Sequence, residues 1–584
     1  MKKLLSGNEA VARGAYESGV IVASAYPGTP STEILETVAA EYPEIYAEWS
    51  PNEKVAFEVG VGASFAGARV LVTMKHVGVN VAADPLFTMS YTGVKGGFVL
   101  LCAGDPGMHS SQNEQDNRNY AKFAKIPMLE PSDSQEAKEF VKMGFSISEQ
   151  YDTPIIVRIT TRIAHSKSLV EMEDRVESEI PLEFVKEPRK FVMIPAHGRL
   201  RHVVVEDRLK KLKEFSEEIP IQKMEIKNPK IGIITSGISY QYCQEVLPEA
   251  SVLKLGMTNP IPKDMIRDFA GKVEKLFVVE ELDPFLEDQI LQMGISVQGV
   301  GKLTGELSPD YLAEFFQNKV EDMKIIHPTP SEKMNLPARP PAMCAGCPHR
   351  SVFYTLKRKK LTVTGDIGCY TLGVLPPLET MDTCVCMGAS VGSALGIEKA
   401  TGRSDNVVAV IGDSTFVHSG ITGLVDMVYN KSRGTVIILD NDTTAMTGRQ
   451  EHPGTGVTLM GEETKRTDFI KLAKALGVEN TEVVNPYDLE ALDKAIDKAV
   501  NSDELSVIVT NQPCLLLRRE KRTQIAEVDL ASCIGCQLCL RLGCPAISVI
   551  SSDNKKVKID SMLCSGCMVC ADVCKSKAII SISV

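Results

Sequence analysis

The sequence predicts a multidomain α/β protein: doubly wound parallel-sheet domains followed by a small, cysteine-rich α+β domain. Three observations carry this. The chain has 584 residues, too many for one hydrophobic core and enough for roughly three to four domains. Apolar strand-length runs alternate with helix-length stretches in three successive segments, the pattern of parallel sheets with crossover helices. Eight of the sixteen cysteines fall in two short runs near the C-terminal end.

In order, residues 1–190 carry the apolar runs Val70–Met74, Gly97–Cys102 and Pro154–Arg158 and read as a first α/β domain. Residues 191–228 are polar and charged, including Asp207-Arg-Leu-Lys-Lys-Leu-Lys213, and read as a connection with a surface helix. Residues 229–330 hold strands at Lys230–Thr235, Val252–Leu255 and Leu276–Val279, a second α/β unit. Pro328, Pro330, Pro337, Pro340 and Pro341 then break the chain. Residues 340–522 hold strands at Val407–Ile411, Thr435–Leu439 and Ser506–Thr510, and residues 523–584 form the cysteine domain.

Composition narrows the function class. A hydrophobic content of 44% and a charged content of 24% are those of an ordinary globular protein. The opening Met1-Lys-Lys-Leu-Leu-Ser-Gly-Asn-Glu9 turns polar too soon for a signal peptide, and no apolar run is long enough to span a bilayer. Many cysteines without a leader point to a reducing cytoplasm and to metal ligation. The net charge of −11 disfavours a nucleic-acid partner. From Lys521 onward eight Lys/Arg stand against five Asp/Glu. A mildly basic end domain suits docking of an acidic electron carrier; a plain solvated surface is the other reading.

The cysteine runs are Cys533-Ile-Gly-Cys536-Gln-Leu-Cys539 with Cys544-Pro545, and Cys564-Ser-Gly-Cys567-Met-Val-Cys570 with Cys574. Three thiolates at this spacing wrap one 4Fe–4S cluster, and the fourth of each run ligates the other cluster. One cluster is therefore expected on Cys533, Cys536, Cys539 and Cys574, the other on Cys564, Cys567, Cys570 and Cys544. The first run has four residues before its last cysteine where the bacterial pattern has three, and Lys575 replaces the proline after Cys574. Paired zinc sites are the alternative for such spacings.

In the third α/β segment, one strand runs into Gly412-Asp413-Ser414 and the next into Asp440-Asn441-Asp442-Thr443. Both lie at the C-terminal ends of parallel strands, where such sheets bind ligands. Gly412 would let the backbone approach a diphosphate. Asp413 offers a carboxylate, Asn441 an amide oxygen and Thr443 a backbone carbonyl to Mg²⁺.

These segments resemble the thiamine diphosphate enzymes, whose signature is Gly-Asp-Gly followed by Asn; Ser414 stands at the second Gly. A second match is Asn52-Glu53-Lys-Val-Ala56-Phe-Glu-Val-Gly60-Val-Gly62, which resembles their pyrimidine-binding helix. The resemblance makes Glu53 the acid that meets the aminopyrimidine ring, with Glu58 as the fallback. Gly60-Val-Gly62 sits inside a helical pattern, so it is not a dinucleotide loop. Tyr26-Pro27-Gly28-Thr29-Pro30 resembles a segment of the 2-oxoacid:ferredoxin oxidoreductases, in which Thr29 would contact the substrate; a turn with a helix cap is the other reading. Gly28 would leave space there for a bulky substrate.

The resemblance covers nearly the whole chain. It is that of the large (alpha) subunits of the indolepyruvate:ferredoxin oxidoreductases. Supporting segments are Asp105–Arg118, Cys344-Ala-Gly-Cys347-Pro-His-Arg350, Cys386-Met-Gly388 and Ala445-Met446-Thr447-Gly448. It implies a pyrimidine-binding domain, a middle domain similar to the transketolase C-terminal domain, a diphosphate-binding domain with Gly388, Gly412, Ser414 and Met446 near the cofactor, and a two-cluster ferredoxin domain. It implies oxidation of aryl pyruvates such as indole-3-pyruvate, with coenzyme A and Mg²⁺, to acyl-CoA and CO₂. The electrons would pass to ferredoxin, and a small beta subunit would complete the enzyme. Arg118 could pair the substrate carboxylate or the coenzyme A phosphates, or be a solvated loop residue.

Cys344, Cys347, Cys369 and Cys514 have a layout similar to the proximal cluster of related oxidoreductases. They are either a third 4Fe–4S site or inert thiols. His76 and His418 read as structural histidines, Cys102 and Cys243 as core, and Cys384 and Cys386 as packing near the cofactor. The rival classes are an electron-transfer scaffold on a vestigial thiamine fold and a non-oxidative decarboxylase.

Overall fold

A computed structural model describes residues 1–584 apart from 318, 321–322, 329–336, 338–340, 518–521 and 551–554. Of the expected chain-breaking prolines, Pro330 and Pro340 lie outside the described residues, as does Lys521 at the start of the basic stretch. The chain divides into two compact units, Met1–Met334 and Asn335–Val584.

The first unit holds two main sheets. The larger has seven strands in the order 257–259, 128–129, 155–160, 98–104, 70–75, 22–25, 46–49. All are parallel except Met257–Asn259, which pairs antiparallel with Met128–Leu129. The strands Val70–Lys75, Phe98–Gly104 and Ile155–Thr160 are buried at every position, so they read as continuous apolar runs, as central parallel strands do. The helix Glu53–Phe65 starts where the Asn52 side chain accepts the Val55 N–H at 2.9 Å. Gly60 lets this helix lie close on the sheet: a Cβ there would stand 2.7 Å from Val72 and 2.8 Å from Phe98.

The second sheet of this unit has five strands in the order 298–299, 275–279, 228–235, 250–254, 223–225. The strand Met257–Asn259 therefore leaves the middle segment to extend the first sheet. The expected connection is a helix, Pro195–Glu218. It is anchored by Arg208, whose guanidinium donates to the Ser90 and Asp152 carbonyls at 2.6 Å each.

The second unit contains a six-stranded, all-parallel sheet in the order 383–384, 362–365, 407–412, 435–440, 506–511, 480–484. Its C-terminal segment adds two small antiparallel pairs, Gln524–Val528 with Ile579–Ser583 and Ile547–Val549 with Val557–Ile559. The cysteine runs occupy the turns around these pairs. Among the described residues, no helix is long and apolar enough to cross a membrane.

Candidate functional site

Within the first unit, the C-terminal edge of the seven-stranded sheet gathers three loops. The strand Val22–Ala25 leads into Gly28-Thr29, Val70–Lys75 ends on Lys75, and Phe98–Gly104 leads into Asp105. Glu53, first residue of its helix, is 5% exposed. Gly78 makes room for it, since a Cβ at Gly78 would lie 2.8 Å from Glu53 Cγ. Glu58 is exposed and paired with Lys54, a solvent-facing ion pair one turn away. Thr29 is half-buried, and its carbonyl accepts the Ser110 hydroxyl at 3.1 Å.

Lys75 has no counterpart in the sequence expectations. It is buried, and Nζ donates to the Ser110 carbonyl at 2.8 Å. Burial pushes its pKa down to about 8, against the opposing charges of Asp105 and Glu53. Its methylenes fill the space beside Gly28, where an added Cβ would lie 3.1 Å from Lys75 Cδ. The absent Gly28 side chain thus accommodates a lysine stem, which corrects the expectation of free room for a bulky substrate.

Arg118 is 1% exposed and clamped. Its guanidinium pairs with Asp116 and Glu280 and donates to the carbonyls of Glu281 at 2.8 Å and Asp283 at 3.0 Å. It ties the Asp105–Arg118 loop to the strand end Lys275–Val279, so neither a solvated loop position nor a substrate-facing one matches this geometry. His76 Nε2 bonds the Asn113 carbonyl at 2.9 Å, and Nδ1 is buried without a hydrogen-bond partner.

Within the second unit, Asp413 stands at the end of Val407–Gly412, 2% exposed. Oδ1 accepts the Ser414 N–H at 2.8 Å and Oδ2 the Asn441 N–H at 3.1 Å. Burial opposes its charge, but His452 and these two N–H groups hold its pKa below the usual value. The Asn441 amide ends 3.2 Å from each Asp413 carboxylate oxygen and 3.0 Å from the Thr443 carbonyl oxygen. With nitrogen there, the amide donates to these three acceptors. With oxygen there, it completes a group of oxygens with no hydrogen between them, at about the 2.9 Å edge of an Mg²⁺ octahedron. These residues could therefore hold a hard divalent cation.

Sequence reasoning missed His452, whose Nε2 lies 3.2 Å from Asp413 Oδ2 while Nδ1 accepts the Gly454 N–H at 3.1 Å. Only its position shortly after Ala445–Gly448 could have signalled it. Ser414 accepts a hydrogen bond from the Thr444 hydroxyl at 3.0 Å, a use for the side chain where the motif has glycine. Gly412 leaves room for Tyr370, whose Cε1 would be 2.7 Å from an added Cβ. Gly388, at φ +87, begins the helix Ala389–Thr401 and donates its N–H to Asp366 at 2.9 Å. A π-helical turn, Phe416–Gly420, follows Asp413 and packs Ser419 on Gly388. His418 is buried, with Nδ1 2.6 Å from the Ser419 hydroxyl. Met446 is exposed in the short turn Ala445–Thr447.

The cysteines fall into three groups. One cavity is lined by Cys533, Cys536, Cys539 and Cys574. Burial, then the neighbouring Cys574, Cys536 and Cys533, push the Cys539 thiol up to about 11. Burial opposes ionisation of Cys574, yet the Ser576 hydroxyl and nearby backbone N–H groups bring its pKa below the ordinary value. A second cavity is lined by Cys544, Cys564, Cys567 and Cys570, and also by Cys347. Burial raises Cys570, followed by Cys567, Cys544, Cys564 and Cys539. The third group is Cys344, Cys347, Cys369 and Cys514. Cys347 is pushed up to about 12, by burial first, with Cys369 and Cys344 adding to it. Cys369 rises to about 11 through burial and then Cys514 and Cys344.

Two links surround this third group. The Cys514 N–H donates to the Asn441 carbonyl at 2.9 Å. Arg350 donates to the carbonyls of Leu542 at 2.9 Å and Cys344 at 3.0 Å. All sixteen cysteines are free thiols; Cys102 and Cys243 are core, and Cys384 and Cys386 are exposed. Among the described residues, no three His, Cys, Asp or Glu side chains close to the spacing of a single metal ion.

Two family models match the chain. Residues 13–214 match the thiamine-diphosphate-binding domain of pyruvate flavodoxin/ferredoxin oxidoreductases. Residues 366–510 match the C-terminal TPP-binding domain of thiamine pyrophosphate enzymes. The chain is 42% identical to the indolepyruvate oxidoreductase subunit IorA of Archaeoglobus fulgidus, over 99% of this chain and 97% of that one. It is 41% identical to the IorA subunit of Methanothermobacter marburgensis, over 98% and 96%. A more distant relative is the 2-oxoglutarate synthase subunit KorA of the same organism, 25% identical over 55% of this chain and 98% of that one.

Proposed function

Because the chain belongs to the IorA family of indolepyruvate oxidoreductase subunits, thiamine-diphosphate-dependent enzymes that reduce ferredoxin, we propose that it is the catalytic large subunit for oxidative decarboxylation of aryl pyruvates. The products are acyl-CoA and CO₂, and two electrons leave one at a time. The observation that carries this reading is the linkage within the second unit. The oxygen-lined Asp413–Asn441–Thr443 group is joined by a backbone hydrogen bond to Cys514, and the third cysteine group reaches the tail cavity through Cys347.

In this reading Asp413, Asn441 and the Thr443 carbonyl hold Mg²⁺. His452 orients the Asp413 carboxylate, and Glu53 meets the cofactor's aminopyrimidine ring. The bound thiamine diphosphate supplies the electron sink that decarboxylation of a 2-oxoacid needs. Thr29 contacts the substrate. Gly388, Gly412 and Ser414 shape the backbone around the diphosphate, and Met446 flanks it. Arg118 positions the Asp105–Arg118 loop and does not touch the substrate.

Three 4Fe–4S clusters suit one-electron steps. The first takes Cys344, Cys347, Cys369 and Cys514. The next takes Cys544, Cys564, Cys567 and Cys570, and the last Cys533, Cys536, Cys539 and Cys574. The order follows the neighbours: Cys347 lines the second cavity, and Cys570 is influenced by Cys539. A small beta subunit completes the enzyme, coenzyme A takes the acyl group, and ferredoxin docks on the basic end domain. Cysteines committed to metal clusters suit a reducing cytoplasm.

The test is ferredoxin reduction by the anaerobic two-subunit enzyme with indolepyruvate, phenylpyruvate, pyruvate or 2-oxoglutarate. Aryl pyruvates should give the highest kcat/KM, and only with coenzyme A. A preference for pyruvate or 2-oxoglutarate defeats the substrate assignment.

A further inference from the structure

We propose that the Lys75 ammonium is the seat of the substrate carboxylate, beside Thr29; this rests on the 2-oxoacid reading above. Three lysines are buried among the described residues: Lys75, Lys138 and Lys254. Lys138 pairs with Glu17 and Lys254 with Glu136. Lys75 makes one hydrogen bond, to the Ser110 carbonyl, and no ion pair. An ammonium carries three donors, and burying it with one acceptor and no direct ion pair is costly.

Two carboxylates, Asp105 and Glu53, act on the ammonium by charge, but neither hydrogen-bonds to it. Asp105 exerts the larger charge effect of the two, and its oxygens are engaged by the Ser110 N–H at 2.8 Å and the Ser111 and Thr161 hydroxyls at 2.7 and 2.9 Å rather than by the ammonium. Glu53 acts on Lys75 through its charge. The lysine stem lies against Gly28, next to Thr29, and the Ser110 residue that accepts from Nζ also donates to the Thr29 carbonyl. Lys75 and Thr29 therefore share one wall at the C-terminal edge of a parallel sheet, the edge at which such sheets bind ligands. The neighbouring His76 Nδ1 is buried without a hydrogen-bond partner.

A 2-oxoacid fits this arrangement. Its carboxylate supplies the direct ion pair that Asp105 and Glu53 do not make, and two acceptors for the remaining ammonium donors. The pairing orients the acid without being made only in a transition state, so its loss falls on binding more than on turnover. The depressed Lys75 pKa agrees with an ammonium built to be completed by a ligand.

The test uses the anaerobic two-subunit enzyme with thiamine diphosphate and Mg²⁺, as wild type, Lys75→Met and Lys75→Arg, with Lys75→Gln where Met does not assemble. Calorimetry measures binding of 3-phenyllactate, a non-reacting 2-hydroxy acid, and of its uncharged amide. Wild type should favour the acid. The Met or Gln variant should bind the acid about 10- to 100-fold more weakly, the loss expected of a hydrogen bond to a charged group, with the amide unchanged. KM for an aryl pyruvate should rise in parallel with kcat within about threefold, and Arg should restore most of the loss.

Equal binding of acid by wild type and variant, or equal weakening of acid and amide, overturns the proposal. Wild type that binds the acid through Lys75 yet oxidises no 2-oxoacid leaves the anion seat standing and defeats the functional reading instead.

Discussion

Replacing Arg118 by Met separates a structural clamp from a substrate-binding residue. The guanidinium is enclosed by Asp116, whose side chain is 0% exposed, and Glu280, at 6%. Removing the cation strands two buried carboxylates and frees two carbonyls. Breaking a buried pair in this way costs about 3–5 kcal/mol, roughly a 4–7 °C fall in Tm for a unit of this size. Adding Asp116→Asn and Glu280→Gln removes the stranded charges and should recover at least about half of the loss.

The acid limb gives an independent check. Arg118 holds the Asp116 pKa below its ordinary 3.8 despite burial. That stabilisation is complete above pH 3.8 and is lost as pH falls through the lower folded value. In the Met variant burial leaves the unpaired Asp116 pKa raised, so the deficit should shrink as pH falls through that raised value and level off below the depressed wild-type one. Differential scanning calorimetry at several pH values measures both effects. An unchanged Tm together with a raised KM would refute the clamp and return Arg118 to the substrate.

The other predictions concern the second unit and Lys75. Asp413→Ala should reduce turnover more than about a thousandfold by removing a metal ligand, with the iron content of the purified complex unchanged; activity regained at saturating cofactor contradicts the metal assignment. Gly412→Ala forces a Cβ against Tyr370 and should cost about 1–3 kcal/mol of stability, read by denaturant unfolding; a neutral effect contradicts the packing. Three 4Fe–4S sites require about twelve iron atoms per chain, whereas about eight would leave Cys344, Cys347, Cys369 and Cys514 as thiols. Lys75 loses its proton as pH rises through about 8, so KM for an aryl pyruvate should climb above that pH. Asp105 and Glu53, which face it, oppose the loss without preventing it. A wild-type KM flat to pH ~10 refutes this, given the ordinary lysine value.

The sheets were legible because their central strands are buried on both faces and so appear as unbroken apolar runs. Val70–Lys75, Val407–Gly412 and Thr435–Asp440 are examples. The Met257–Asn259 strand was not legible: three residues carry no periodicity, and its partner lies far away in the chain. The approach of Asp413 to Asn441 and Thr443 was readable because they follow two neighbouring parallel strands. Lys75 was hidden because a single lysine at a strand end looks like any surface charge; only its burial and the stem against Gly28 distinguish it. Arg118 misled for the complementary reason. Its polar loop suggested solvent, while Glu280 and the Glu281 and Asp283 carbonyls come from a segment the loop gave no sign of meeting.

The central claim is that thiamine-dependent chemistry and the cysteine groups belong to one electron path. The direct measurement is the electron yield of the anaerobic two-subunit enzyme given phenylpyruvate, coenzyme A and excess ferredoxin. The path predicts about two electrons delivered per acyl-CoA formed, abolished by Asp413→Ala and slowed by Cys514→Ser. An aldehyde product with no ferredoxin reduced, or full electron yield from the Cys514 variant at the wild-type rate, would contradict it.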